Sequence, residues 1–250
     1  MIEALDHIVL AAPSPDAAVA DYQALLGLHA GGGSFQLANV RLEVRAGAEG
    51  HTGGLTALAF ATSDGANAQR LLQQRALPVA AEADGTLRIA PPATHGVHIS
   101  LLPRTGAEAP RFSQPVPGAD GASCVSGLDH VVIRTPNPER AVALYAGRLG
   151  LSLRLDRSEP KWSARLLFFR CGDLVVEVVH DLESGLGDGP DRLWGLSWRV
   201  PDVVKAHARL SRASVEVSDI RKGRRPGTEV FTVKSHTANV PTLMLGAAPG

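Results

Sequence analysis

The chain of 250 residues carries 25 basic and 25 acidic side chains, is 44% hydrophobic and only 20% charged. That composition excludes a wholly disordered chain, and zero net charge excludes one built chiefly to coat nucleic acid or an anionic membrane. Two cysteines, Cys124 and Cys171, are too few for a disulfide framework, and no CxxC or Cys/His spacing marks structural zinc.

The first residues, Met1 to His7, show no basic segment and run straight into an apolar strand pattern at 8–11. A Pro/Asp-rich turn then opens a helix of about three turns, with Ala18, Tyr22, Leu25 and Leu26 on its apolar side. Gly27 stands where a helix end wants a residue without a Cβ penalty. Short alternating segments follow at 35–37 and 40–44. A second strand-and-helix pattern covers 55–72, and an apolar strand lies at 98–102. Residues 103–126 hold Pro103, Pro110, Pro115 and Pro117 among Gly, Ala and Ser, and read as a linker. Beyond it the pattern restarts: a strand at 131–134, a helix ending at Gly150, strands at 165–170 and 174–179, and again a strand at 193–200. No apolar run reaches the roughly 18 residues of a membrane span. The expectations are a cytoplasmic location, no nucleic-acid or membrane partner, and a monomer or homodimer.

The restart is a duplication. Leu5-Asp6-His7-Ile8-Val9 recurs as Leu128-Asp129-His130-Val131-Val132, and 13 of the 24 positions from Leu5 to Leu28 are identical at an offset of 123. A weaker pair aligns 55–72 with 193–210 at an offset of 138. Four units of strand, helix and two or three strands therefore account for the chain. The zero charge is a sum of unlike halves: residues 1–126 hold 7 basic and 11 acidic residues, and residues 127–250 hold 18 and 14. All three tryptophans fall in the second half.

Tandem βαβββ units, an LDH-initiated first strand, the Tyr-to-Leu-Gly-Leu helix exit and a glutamate on a late strand resemble the vicinal oxygen chelate superfamily. That group includes glyoxalase I, extradiol dioxygenases, methylmalonyl-CoA epimerases and bleomycin-resistance proteins. The resemblance implies an α+β fold in which four units pair into two open, cupped β-barrels. Residues 1–104 would form the first barrel (units 1–46 and 54–104), 105–126 the linker, and 127–250 the second (units 127–181 and 191–247).

The resemblance also implies a ligand set for a divalent metal ion: His7 with Glu43 in the first half, His130 with Glu177 in the second. A carboxylate in an apolar strand needs a cation, a hydrogen-bonded partner or water. Imidazole with carboxylate suits Zn, Fe, Mn, Ni or Co without choosing between them. The other role open to each pair is structural, the histidine simply bonding the glutamate. The second unit of each half lacks the matching residues: Ala57 and Gly195 stand at the histidine position, and neither 98–102 nor 241–245 holds a glutamate. That deficit disfavours an extradiol dioxygenase.

The second half adds Arg221-Lys222-Gly223-Arg224-Arg225, a basic turn that either presents guanidinium forks to an anion or is a solvated hairpin tip. Arg134, Arg165 and Arg199 are further candidates for the barrel mouth, and Trp198, on one face with Trp194, is either a flat wall for a ligand or core packing. The reading is a glyoxalase-like protein for a small, anionic, oxygenated metabolite, with Glu177 as candidate base. As an enzyme it would be a metal-dependent isomerase, epimerase or lyase. The alternative is a metal-free binding protein of the bleomycin-resistance type.

Overall fold

The computed structural model describes residues 1–104 and 112–248; the first part of the expected linker, 105–111, lies outside the described residues. The first repeat comprises β1 (Ala4–Ala12), α1 (Pro15–Leu26), β2 (Ser34–Gln36) and β3 (Arg41–Ala46). The second comprises β4 (Gly54–Thr62), α2 (Gly65–Gln74), β5 (Val79–Ala81), β6 (Leu87–Ile89) and β7 (His98–Pro103). The third runs through β8 (Gly127–Arg134), α3 (Pro138–Val142), β9 (Ser152–Glu159), β10 (Ala164–Cys171) and β11 (Leu174–Asp181). The fourth holds β12 (Arg192–Arg199), α4 (Val203–Arg212), β13 (Arg221–Lys222), β14 (Thr228–Val233) and β15 (Thr242–Ala247). The fold is α+β with two mixed sheets, and the four expected units are all present.

The sheets follow the order of the repeats. Seven strands line up as β2-β3-β1-β4-β7-β6-β5, and eight as β13-β14-β15-β12-β8-β11-β10-β9. In the last three repeats the first strand runs parallel to the last: β4 with β7, β8 with β11, β12 with β15. A parallel pair needs a crossover rather than a hairpin, and the helix supplies it. The chain folds into two compact units, each drawn from several stretches of sequence. One is Met1–Ile8, Thr56–Ala109 and His130–Trp194; the other is Val9–Leu55, Pro110–Asp129 and Gly195–Gly250.

Each helix starts where its sequence predicts. Ser14, Asp64, Asn137 and Asp202 adopt extended backbone and accept a hydrogen bond from the N–H three residues on, which satisfies a donor that the first turn leaves bare. Gly27 and Gly150 are left-handed at φ 72° and 75°. The apolar side of α1 is buried through Ala18, Tyr22, Leu25 and Leu26. Its counterpart is wound differently: after α3 the chain continues as a π-helix over Ala143–Arg148. That segment buries Tyr145 against Phe169, ring centroids 5.4 Å apart.

Composition suggests a bare connector between the halves, yet its described part is bonded along its length. The Ser113 N–H donates to Gln36 O, the His29 N–H to Gln114 O at 2.8 Å, the Val116 N–H to Gly27 O and the Val125 N–H to Leu26 O. Cys124 and Val125 are buried. Beside them the guanidinium of Arg209 on α4 donates to Ala24 O, to Leu25 O at 2.8 Å and to Ser123 O at 3.2 Å. The last turn of α1 has no basic residue of its own. Arg209 therefore brings positive charge to a helix C-terminus from about 185 residues away in sequence.

Arg209→Ala would leave these carbonyls without that donor and is expected to cost about 1–3 kcal/mol. The measurement is the midpoint of thermal or urea unfolding, with the exposed Arg212→Ala as the control that should barely move it. Equal midpoints for the two variants would show that water serves the end of α1 as well as Arg209 does.

Candidate functional site

β8 and β11 pair in parallel with Val175 beside His130 and Glu177 beside Val132. His130 and Val132 share one face of β8, as do Val175 and Glu177 on β11, because strand side chains alternate. Imidazole and carboxylate thus converge diagonally, with His130 Nε2 3.2 Å from Glu177 Oε2. Glu177 is 7% exposed. Its partner across the antiparallel pairing to β10 is Phe168, on whose face Leu166 is also buried. The pair therefore sits on a mainly apolar surface.

The corresponding glutamate of the first repeat has a different setting. Glu43 on β3 is bridged by Arg41 at 2.9 Å and by Arg45, the residues two before and two after it on the same strand face. His7 places Nδ1 2.7 Å from Asp6 Oδ1. At the positions corresponding to Arg41 and Arg45 the third repeat has Val175 and Val179. Beside Glu177 the structure sets His130. That contrast is readable in the sequence as arginine against valine at equal spacing.

Other candidates are dispersed. Arg134, at the end of β8 and on the face of His130, has its guanidinium carbon 4.4 Å from the centroid of the Trp194 ring, a cation–π contact at the surface. The sequence pattern groups Trp194 with Trp198 and gives no sign of this partner, because the contact crosses between strands. Trp198 has no exposed surface and lies in the core with Phe231 and Met244, so it presents no wall to a ligand. Arg165 lies on the β10 face opposite Phe168 and is spent on carboxylates of this chain, bonding Asp156 through two nitrogens at 2.8 and 2.7 Å and Glu139 at 2.6 Å. Arg199 faces Asp129 at 3.2 Å. Arg221 on β13 and Arg224 and Arg225 on the turn after it are exposed. Both cysteines are buried, and burial pushes the Cys171 thiol up to about 12, which disfavours its thiolate form.

The pair can be tested against the metal that the resemblance implies. Donors on one tetrahedral ion, each about 2.0 Å from it, stand about 3.3 Å apart. The His130–Glu177 spacing suits that edge. The number of donors does not: a catalytic centre draws about three protein ligands, and among the described residues no group of three or more His, Cys, Asp or Glu stands together. The described residues do not complete a metal centre.

A family model described as Glyoxalase/Bleomycin resistance protein/Dioxygenase superfamily matches residues 129–232, which span both His130 and Glu177. Over these residues the chain is similar to that superfamily. An ethylmalonyl-CoA/methylmalonyl-CoA epimerase of Cereibacter sphaeroides is 27% identical over 100 residues, 37% of this chain and 75% of that protein. A mutant of 4-hydroxymandelate synthase from Streptomyces coelicolor superposes on 100% of this chain and 94% of its own with a TM-score of 0.71 at 12% identity. A 2,2',3-trihydroxybiphenyl 1,2-dioxygenase from Sphingomonas wittichii covers 99% of this chain and 91% of its own, with a TM-score of 0.69 and 17% identity. At such identities the structures share the fold alone, and that likeness of fold covers both sheets.

The Arg165 bridge gives a pH test of the geometry outside the pair. Hydrogen bonding to Arg165 holds the Asp156 carboxyl below its usual range. A depressed carboxyl contributes stability above its unfolded pKa and loses it as pH falls through the folded one. Unfolding midpoints of the wild type and Asp156→Asn should therefore differ at pH 7 and converge as the pH falls below the carboxylate range. A constant gap would assign the stability to packing.

Proposed function

We propose that the second half of the chain handles a small oxygenated anion and moves a proton on it, with Glu177 as the base. The observation that carries this reading is the pairing of His130 Nε2 and Glu177 Oε2 at 3.2 Å on an apolar sheet face, where the strand itself offers valines instead of arginines. A carboxylate placed against a bound ligand there can take up its proton as a general base. His130 touches one carboxylate oxygen and orients the group toward a ligand. Arg134 lies four residues along the same strand face, about 13 Å away at about 3.3 Å per residue. With the Trp194 ring beside it, it forms a cationic and aromatic rim suited to the far anionic end of a ligand. The likeness to an epimerase supports proton abstraction next to a carbonyl as the reaction class. Isomerase, epimerase and lyase chemistry all begin with that step.

A second reading rests on the spacing of the same pair, which suits two vertices of a divalent ion. In that case the ion would polarise ligand oxygens, and His130 and Glu177 would be its protein donors. A third, sequestration without turnover, needs only the rim and the apolar face.

The test uses methylmalonyl-CoA and ethylmalonyl-CoA in deuterated water, with mass spectrometry reading exchange at the carbon between the carbonyls. Exchange by the wild type that falls about 100-fold or more in Glu177→Gln is the expected result. Thermal shift with Mn, Fe, Co, Ni and Zn, and metal analysis of untagged protein, separate the second reading: a stoichiometric ion lost in His130→Ala would replace the metal-free account. Tight binding of either thioester without exchange would establish sequestration and sink the catalytic proposal.

A further inference from the structure

A buried polar cluster on the helix side of the third repeat has more hydrogen-bonding atoms than the protein bonds. The Thr135 hydroxyl at the end of β8 donates to Asp191 Oδ1 at 2.7 Å, and Arg140 Nη2 on α3 donates to the same oxygen at 2.8 Å. Arg140 also holds Gly189 O at 2.7 Å, and the Asp191 N–H donates to His95 O at 2.6 Å. Three atoms remain: Asp191 Oδ2, Arg140 Nε and Tyr145 Oη are buried and have no hydrogen-bond partner among the described residues. The side chain of Asp191 is wholly buried, and Tyr145 has no exposed surface. Native proteins rarely leave such groups bare, and when they do an ordered water is the usual partner.

The duplicate shows what is different here. Tyr22, at the position equivalent to Tyr145, donates its hydroxyl to Thr237 O at 3.2 Å. The loops at 237–240 and 94–97 are alike: the Val240 N–H donates to Thr237 O, and the Val97 N–H donates to Thr94 O. Tyr145 does not make the matching bond to Thr94 O. It lies in the π-helical turn, where the Leu149 N–H donates to Leu144 O five residues back, whereas the Gly27 N–H that closes α1 reaches four back to Gln23 O. The two copies have equal length through this region, so the wider turn is not an insertion. π-turns are frequent at places with a local task.

We propose that a single internal water molecule is bound between Asp191 Oδ2, Arg140 Nε and Tyr145 Oη, and that it stands in the third repeat for the carbonyl that satisfies Tyr22 in the first. The chemistry of the three atoms selects the ligand. Asp191 rejects an anion, and Arg140 rejects a cation. The occupant must accept from the Arg140 Nε–H, donate to Asp191 Oδ2 and exchange a third bond with a phenol, which a water does with one proton to spare. Bound there, it joins three segments: α3, the π-turn and the chain leading into β12.

A high-resolution crystal structure of the full chain is the direct test. The expected result is a density peak about 2.7–3.2 Å from all three atoms. Empty density, or Tyr145 Oη bonded straight to Asp191 Oδ2 or Thr94 O, overturns the proposal. Tyr145→Phe removes one of the three partners and little volume; its Tm should fall by about 2–4 °C, and its crystal should show the peak displaced or lost. An unmoved peak with an unmoved Tm would take Tyr145 out of the site. Should that variant fail to fold, magnetic relaxation dispersion of water in the wild type reads the same site in solution, where the absence of any long-lived internal water counts against it.

Discussion

The parallel pairing of the first and last strands within a repeat is the constraint on which the site depends. Two strands that run the same way cannot be joined by a tight turn, so the chain must leave the sheet, cross as a helix and return. That crossing separates His130 and Glu177 by 47 positions in sequence and then aligns them on adjacent strands within 3.2 Å. The same pairing holds β4 to β7 and β12 to β15, where the residues in register are Ala57 with His98 and Leu196 with Thr242. One backbone arrangement thus recurs, and the side chains at a few of its positions decide whether it carries chemistry.

Duplication let the copies take different roles at equal geometry. Glu43 is bridged by the arginines two residues to either side on its own strand. Glu177 has valines there and is set beside His130. Tyr22 and Tyr145 also differ, one hydroxyl bound to a loop carbonyl and the other buried without a hydrogen-bond partner among the described residues. The excess of positive charge in the second half is not spread as a uniform field. Arg165, Arg199 and Arg140 are bonded to acidic groups of the chain, whereas Arg134 lies over an aromatic ring at the surface. An arginine already holding two carboxylates has few donors left for a ligand.

How far the sequence reads depends on the range of the interaction. Helix caps, the left-handed glycines at 27 and 150, strand faces and the repeat itself are set by neighbours a few residues apart, and each appears in the structure where the pattern put it. The opposite faces of Arg165 and Phe168 follow from alternation alone. What alternation does not carry is a partner from another element. Asp156 and Glu139 around Arg165, Trp194 over Arg134 and the burial of Trp198 all arise from such partners.

By itself the sequence determined four strand-helix-strand repeats, the α+β class, and the two His–Glu pairs as the places to look, because periodicity and identity at a fixed offset are local properties that one chain displays. Only the tertiary structure decided which cations are already paired, that the proline-rich stretch is bonded to the first repeat, that Arg209 closes a helix far from it in sequence, and that one copy of a duplicated helix winds as a π-turn over a buried aspartate. Those outcomes depend on which groups meet after the chain has folded back. A hydrogen bond or a buried charge is satisfied by whatever lies within about 3 Å, wherever in the sequence that group began.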